Sequence, residues 1–432
     1  MYQIKEHLQN RNGILYIGDC GSLELAEKYG TPIYVYDENA IRKRARALTE
    51  IFTKYYDRFK LYYAIKANNN LAILNILRQE GLGADCSCPA EIELALKAGF
   101  SKERILYSGI YHRDDELEYS AKSGVAVNLE DITQIERLVR YGKPEILCLR
   151  INPGIGKGKF KGLVFAGKDA KFGISSDKAV EAYKKASQHG FKRFGIHMMT
   201  GSCVTDSSYF EEITCKLLDI AGDVRKKIGI EFEFIDIGGG LGVSYMPKES
   251  ELNIEATAKK VTGIFARKCK EYKLGNPYLM IEPGRYLVCE AGVLLTKVTS
   301  IKSAYKKFVG VDAGMNTLLR PALYGAYHEI VVANNLNSKK SERVNIVGQI
   351  CENTDMFAKY RLMPKIKQGD LLAILNAGAY GFAMGSQYNT RPMCAEVLVC
   401  SGIGELIRLR ETIEDITKNM AVPERLYLNE RR

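Results

Sequence analysis

The chain has 432 residues, 46% of them hydrophobic and 26% charged, a globular composition that excludes disordered, collagen-like and disulfide-stapled classes. Its 62 basic and 51 acidic residues leave a formal charge of +11, spread along the chain with only short clusters such as Arg42-Lys43-Arg44; this excludes a nucleic-acid-binding stripe and suits an anionic substrate. No apolar run is long enough to span a membrane, and eleven scattered cysteines read as the reduced thiols of a cytoplasmic protein.

An N-terminal segment over 1–30 comes first. Its start, MYQIKEHLQNRNG, lacks the apolar core of a secretion signal, and the segment is expected to pack with a later β domain. From 31 to 284 short apolar, β-rich runs alternate with longer amphipathic ones. The predicted strands are LYYAIKA, GADCS, ILYSG, VAVNL, ILCLRINP, RFGIHMM, FEFIDIG and YLMIEPG. Between them NLAILNILRQEG, AEIELALKAGF, DELEYSAKSG, ITQIERLVRYG and KAVEAYKKASQHG carry helical periodicity. Two longer helices are predicted around SSYFEEITCKLLDIAGDVRKKIG and NIEATAKKVTGIFARKCKEY. Glycine closes several of these runs, as a helix C-cap does. Eight strands with intervening helices over about 250 residues match a (β/α)8 barrel, although an open doubly wound sheet shares the periodicity. From 285 to 432 the pattern turns to strands separated by turns: KVTSIKSAY, FVGVDAG, EIVVAN, ERVNIVGQIC, LLAILNAGAYG and CAEVLVC, with a short helix near the end. The expected fold is α/β, a TIM barrel followed by a mostly β domain.

Barrel chemistry sits at the C-terminal ends of the strands, and several polar residues fall there. Lys66 ends LYYAIK; a buried ammonium is costly unless paired or deprotonated, and a desolvated lysine of lowered pKa is the nucleophile that Schiff-base chemistry needs. A strand-end lysine snorkelling to solvent is the plain alternative. IDIGGGLG places Gly238-Gly239-Gly240 after the seventh strand, where barrels favour phosphate sites, although glycines also make ordinary tight turns. Glu282 in IEPGR can face the barrel mouth, where its carboxylate would keep a pyridine nitrogen protonated, or simply pair with Arg285. His197, after the sixth strand, can stack on a flat ring or be a hydrogen-bonded core histidine. Five histidines without His-x-x-His or Cys-x-x-Cys spacing point to no metal site. In the second domain Arg320 in RPALY suits bidentate carboxylate binding, and Cys351-Glu352 can serve as an acid–base pair. The segment GKGKFKG near Lys157 to Lys161 has the composition of a loop that closes over a site.

The motifs YAIKAN, GLGAD, RINPG, KFGI, DIGGGLG, EPGR, RPALY, CE, GAYG and YNTRP, in consistent order from Thr31 to Val399, resemble the fold-type III, alanine-racemase-like pyridoxal-phosphate decarboxylases, in particular the diaminopimelate decarboxylase family. The resemblance implies a homodimer with active sites shared across its interface. It implies pyridoxal 5'-phosphate held by Lys66, with Asp85 among the cofactor-binding residues, His197 stacked on the ring and Glu282 on the ring nitrogen. Ser202, Gly239, Gly240, Gly284 and Arg285 would cradle the phosphate, and Tyr380 would touch cofactor and substrate. Arg285, Arg320 and Tyr324 would grip the distal carboxylate of an amino-acid substrate. Cys351 and Glu352, from the partner subunit, would complete the pocket, Cys351 as proton donor and Glu352 reading the distal amine. The implied reaction is decarboxylation of meso-2,6-diaminopimelate to L-lysine and CO2, the last step of lysine biosynthesis.

Three departures bear on the substrate. The family reads His-Ile-Gly-Ser at the sixth strand where this chain has His197-Met-Met-Thr-Gly-Ser202, read as two extra residues; Cys88 replaces a serine, and Met393 replaces the second arginine of Arg-Pro-Arg. A sister decarboxylase acting on ornithine, arginine, a carboxylated polyamine or a siderophore precursor therefore stays open. A racemase fits the fold but not the Cys-Glu and RPALY motifs. An inactive regulatory homologue would be expected to lose Lys66 or Cys351, and both are present.

Overall fold

In the computed structural model residues 7–427 are described; residues 1–6, which open the N-terminal segment, and residues 428–432 lie outside them. All eight expected barrel strands form: Phe59–Ala64, Gly83–Cys86, Ile105–Tyr107, Ala126–Leu129, Ile146–Asn152, Arg193–His197, Phe232–Asp236 and Tyr278–Ile281. Each pairs in parallel with the next. The last strand returns to the first through Leu279–Phe59, Met280–Lys60 and Ile281–Leu61, so the sheet is a closed barrel rather than an open one.

The barrel is filled from within, which confines chemistry to one mouth. Tyr62, Leu106, Cys148, Phe234 and Met280 form an inner cluster. Glycine makes room for its rings: a Cβ at Gly83 would lie 2.6 Å from the Tyr62 ring, and one at Gly195 would lie 2.3 Å from that of Phe234. Outside, the helix Glu38–Tyr55 starts where the Asp37 carboxylate accepts from the Ala40 N–H at 3.0 Å, a cap that contributes about 1 kcal/mol. It buries Ile41, Ala45, Leu48 and Phe52, three to four residues apart on one stripe. The helix packs beside both Leu71–Gln79 and Ile254–Glu271. Because only the short helix Arg285–Val288 follows the eighth strand, this helix before the first strand completes the outer ring.

The second sheet system has nine strands, and Ile33–Asp37 lies at its centre, antiparallel to Gly292–Ser303 and parallel to Ala395–Cys400. The segment 31–284 assigned to the barrel thus opens with a strand of the β domain. All five residues of IYVYD are buried, and such a run reads alike whether a barrel or a sheet receives it. Besides Ile33–Asp37, itself not among the predicted strands, the β domain holds two further unexpected strands, Met356–Met363 and Ile403–Arg408. Both lie at sheet edges and expose charged residues, so neither looks like an apolar run. The N-terminal hairpin Leu8–Arg11 with Ile14–Ile17 buries Leu15 and Ile17 against Val293, Leu295, Leu371 and Val397 of this domain. Among the described residues no helix is long and apolar enough to cross a membrane.

Candidate active site

At the C-terminal mouth of the barrel, where the β domain covers it, lies a cavity of about 300 Å³. Lys66, Ser202, Arg285, Arg320, Tyr324 and Tyr380 line it, as does Arg150 from the fifth strand. A smaller recess is shared by Lys66, Ser202, Arg285 and Tyr380 with Gly240, Glu282 and Gly284. Barrel and β-domain residues, far apart in sequence, thus meet in one place.

Lys66 lies not within a strand but in the turn Ile65–Ala67 just beyond the first one. That turn is tied to the β domain by the Tyr380 N–H on the Ala67 carbonyl at 2.7 Å and by Asn68 Nδ2 on the Gly378 carbonyl at 3.2 Å. The Lys66 ammonium meets the fully buried Asp85 carboxylate at 2.7 Å, while 41% of its side chain opens to the cavity. Burial alone would lower its pKa, but the negative charge of Asp85 and Glu282 outweighs burial and holds it above the ordinary lysine value. The expected lowered pKa is therefore corrected: the protein stores Lys66 as a paired ammonium. Asp85 itself is pushed up by burial and by Glu282, against the pull of Lys66 and of the Ser108 hydroxyl that donates to it.

Glu282 stands between His197, at 3.1 Å, and Asp236, with the facing atoms of all three within 4.8 Å. Burial would raise the Glu282 pKa, yet His197, Lys66 and Asp236 together hold it down to about 2. Asp236 takes the opposite course, raised well above the usual range by burial and by Glu282, so one of the two buried acids keeps its proton. Asp236 Oδ1 accepts from the Gly238 N–H at 2.7 Å, while its Oδ2 and Glu282 Oε1 have no other partner among the described residues. His197 is 1% exposed, has its Nε2 against Glu282, and lines neither the cavity nor the recess. Met199 lines both. Counted back from Gly201-Ser202, the His-Ile-Gly-Ser motif puts its histidine at Met199, and the apparent insertion after His197 disappears.

The glycine run follows the seventh strand. A Cβ on Gly239 would lie 2.4 Å from the Glu282 carbonyl oxygen. Gly240 has φ +91°, and its Cβ would lie 2.6 Å from the Gly201 carbonyl. No other residue fits either place, and the bare backbone that results is the kind that receives an anion.

Arg285 and Arg320 are buried, yet among the described residues neither has a carboxylate partner. Their guanidinium carbons stand 5.8 and 4.5 Å from the centre of the Tyr245 ring, and Arg285 also lies over Tyr380 at 4.7 Å. Arg285 Nη1 donates to the Tyr245 hydroxyl at 2.6 Å. Arg320 Nη1 contacts His328 Nε2 at 2.7 Å, and the other His328 nitrogen meets the Leu375 carbonyl at 2.9 Å. Burial and the Arg320 charge hold the His328 pKa well below its ordinary value, so the ring is neutral: Nε2 accepts and Nδ1 donates. Two buried cations held by neutral groups are costly to fold without an anion to receive. Tyr324 stacks on Phe160, ring centres 5.7 Å apart, so the loop after Lys157 is docked at the cavity, where Gly162 and Leu163 form part of the wall.

Cys351 and Glu352 are exposed and lie outside their own chain's cavity. Their turn is nevertheless well held. The buried Asp355 carboxylate accepts from the Ile350 and Met315 N–H groups at 2.7 and 2.6 Å, and the Cys351 N–H donates to Asn389 Oδ1 at 2.8 Å. Sequence reasoning assigned no role to Arg150, Met199, Asp236, Tyr245, His328 or Asp355. Arg150 and Asp236 carried a signal, a charge ending an apolar run, inside the RINPG and DIGGGLG motifs. Tyr245 and His328 carried none, because they matter only through what folding brings beside them.

An amine facing a carboxylate across a recess, a glycine cradle and uncompensated arginines together fit pyridoxal 5'-phosphate: an aldehyde for Lys66, a ring nitrogen for Glu282 and a phosphate for the cradle. Comparison with known proteins agrees. The family described as pyridoxal-dependent decarboxylase, pyridoxal binding domain, matches residues 38–289. A diaminopimelate decarboxylase of Methanothermobacter thermautotrophicus is 47% identical over 96% of this chain and 98% of its own length. The crystal structure of the diaminopimelate decarboxylase of Methanocaldococcus jannaschii in complex with L-lysine superposes with a TM-score of 0.89 at 32% identity, over 98% of this chain and 99% of that one. The chain belongs to the diaminopimelate decarboxylase family. It is a pyridoxal-phosphate-dependent carboxy-lyase of fold type III, with the family's barrel and β domain.

Proposed function

We propose that this decarboxylase converts meso-2,6-diaminopimelate to L-lysine and CO2, working as a cytoplasmic homodimer. The observation that carries the substrate is the pair Arg285 and Arg320, buried without a carboxylate partner among the described residues, in the cavity that also holds Lys66. A substrate with a second carboxylate satisfies them by bidentate pairing. Ornithine or lysine would leave both unpaired, a penalty large enough to exclude them. The relatives named diaminopimelate decarboxylase and the solved relative holding L-lysine support the same reading.

When bound, pyridoxal phosphate supplies an electron sink for the pair left by departing CO2. Lys66 would hold the cofactor by its amine, with Asp85 keeping that amine protonated whenever it is released. Glu282, ionised between His197 and Asp236, is placed for the ring nitrogen. Ser202, Gly239, Gly240 and Gly284 would receive the phosphate, with Arg285 between phosphate and substrate and Tyr380 beside both. Arg320 and Tyr324 would fix the far carboxylate, leaving only the near one free to depart. The exposed but well-held turn at Cys351-Glu352 supports an active site completed by a second copy. There the partner subunit's Glu352 would read the distal amine and the partner subunit's Cys351 would deliver the proton to the carbon that lost CO2. All eleven cysteines are free, consistent with a reducing compartment.

The test is product formation by the cofactor-loaded protein offered meso-diaminopimelate, ornithine and arginine separately. Lysine and CO2 from diaminopimelate alone, lost in Lys66→Ala, are expected. Turnover of ornithine or arginine in its place would transfer the assignment to a sister decarboxylase.

A further inference from the structure

We propose that Met199 provides the contact on the face of the cofactor ring that sequence reasoning gave to His197, and that His197 is instead a positioning residue for Glu282. The proposal rests on the pyridoxal-phosphate reading of the cavity and specifies one wall of it. Three observations carry it. Met199 lines both the main cavity and the recess, together with Lys66, Ser202, Arg285 and Tyr380, whereas His197 lines neither. The Met199 side chain is aimed at the glycine cradle, its Sδ accepting from the Gly239 N–H at 3.3 Å, and a Cβ on Gly238 would lie 3.1 Å from the same sulfur. Finally, the aromatic rings around the cavity are already engaged. Tyr380 lies under Arg285 and Phe172 under Arg150, Phe165 packs edge-on to Phe172, and Tyr324 stacks on Phe160. Arg150 is engaged by Phe172, the serines Ser87, Ser108 and Ser202 are too small to cover a flat ring, and the other apolar side chains of the wall, Ile110, Leu163 and Met384, do not reach the recess that Lys66 shares with Glu282. The Met199 thioether does, and it is polarizable, flexible and favourable against an aromatic edge or face.

A sulfur in this place differs from an imidazole in one measurable respect, since it carries no charge at any pH. Cofactor binding should therefore show no titration from the ring face in the range where histidine changes charge. The experiment titrates pyridoxal phosphate into the cofactor-stripped protein and records the dissociation constant and the absorption spectrum of the bound cofactor from pH 5 to 9. It compares wild type with Met199→Ala, Met199→Leu, Met199→His and His197→Gln, with thermal melting of each variant to confirm folding. Met199→Ala is expected to weaken binding about two- to tenfold and to shift the absorption maximum, with Met199→Leu in between. Met199→His is expected to introduce a new titration between about pH 5 and 8. His197→Gln should alter the pH dependence of the bound-cofactor band through Glu282 while costing less affinity than Met199→Ala. Wild-type affinity and spectrum in both folded Met199→Ala and Met199→Leu, with the loss appearing in His197→Gln, would overturn the proposal. A wild-type protein that takes up no pyridoxal phosphate would instead overturn the cofactor reading beneath it.

Discussion

Lys66 and Asp85 show how one pairing reverses the argument made from burial alone. The lysine was legible in the sequence as a cation in an apolar context, and desolvation does act to lower its pKa. What the sequence hid is that Asp85, nineteen residues on, meets it at 2.7 Å from the adjacent strand, with Glu282 adding negative charge from the eighth. The folded-state pKa is raised, so the free amine appears only at high pH. Replacing Asp85 by Asn removes the partner, leaves burial dominant and brings the free amine to lower pH. The rate of trapping Lys66 with pyridoxal phosphate and borohydride against pH should show its midpoint move down by about one to three pH units in Asp85→Asn. An unmoved midpoint would mean that Asp85 does not hold the ammonium. His197 shows the opposite limit of sequence reasoning. Its place at the end of a strand was correct, but a strand end offers two sides, and packing against Glu282 took it off the cavity.

At the scale of elements, the alternation of apolar and amphipathic runs specified all eight barrel strands and the helices between them, because each strand had a turn signal and a helical period on either side. Ile33–Asp37 was not predicted as a strand, because five consecutive buried residues show no alternation. Met356–Met363 and Ile403–Arg408 escaped because edge strands carry the charges that protect an edge. The glycine turn after the seventh strand was legible as a phosphate signal, and its geometry gives a paired prediction. Gly240→Ala sets a Cβ at φ +91°, 2.6 Å from a carbonyl oxygen, so it should lose about 1–3 kcal/mol of stability and much of its cofactor affinity. Gly263→Ala, in the exposed interior of the helix Ile254–Glu271 with nothing within 4 Å of its Cβ, should gain about 0.5–1 kcal/mol and leave binding untouched. Thermal melting with and without pyridoxal phosphate separates the two; a cofactor response in Gly240→Ala equal to wild type would remove the turn from the phosphate site.

For the whole molecule, closure of the barrel and the central place of Ile33–Asp37 explain why the two domains act as one. The chain enters through the β domain, winds the barrel and returns, so the cavity between them draws on both. Cys351 and Glu352 are exposed and do not line their own chain's cavity, so in the proposed homodimer a second copy would complete the site. A shared site predicts that two inactive variants repair each other. Lys66→Ala and Cys351→Ala, dissociated, mixed in equal amounts and reassembled, should recover about a quarter of wild-type activity, because half of the dimers carry one intact site of two. Activity no higher than that of the separate variants would place Cys351 outside the partner's site.

In the proposed function the two buried arginines choose the substrate. The most direct measurement of that choice is kcat/KM for meso-diaminopimelate against ornithine, in wild type and in Arg320→Met, which keeps the side chain's bulk and removes its charge. Wild type should prefer diaminopimelate by at least about 10⁴-fold, and Arg320→Met should lose most of that preference through diaminopimelate while remaining folded and cofactor-loaded. Comparable turnover of ornithine by the wild-type protein, or an undiminished preference in Arg320→Met, would show that the arginines do not select the substrate.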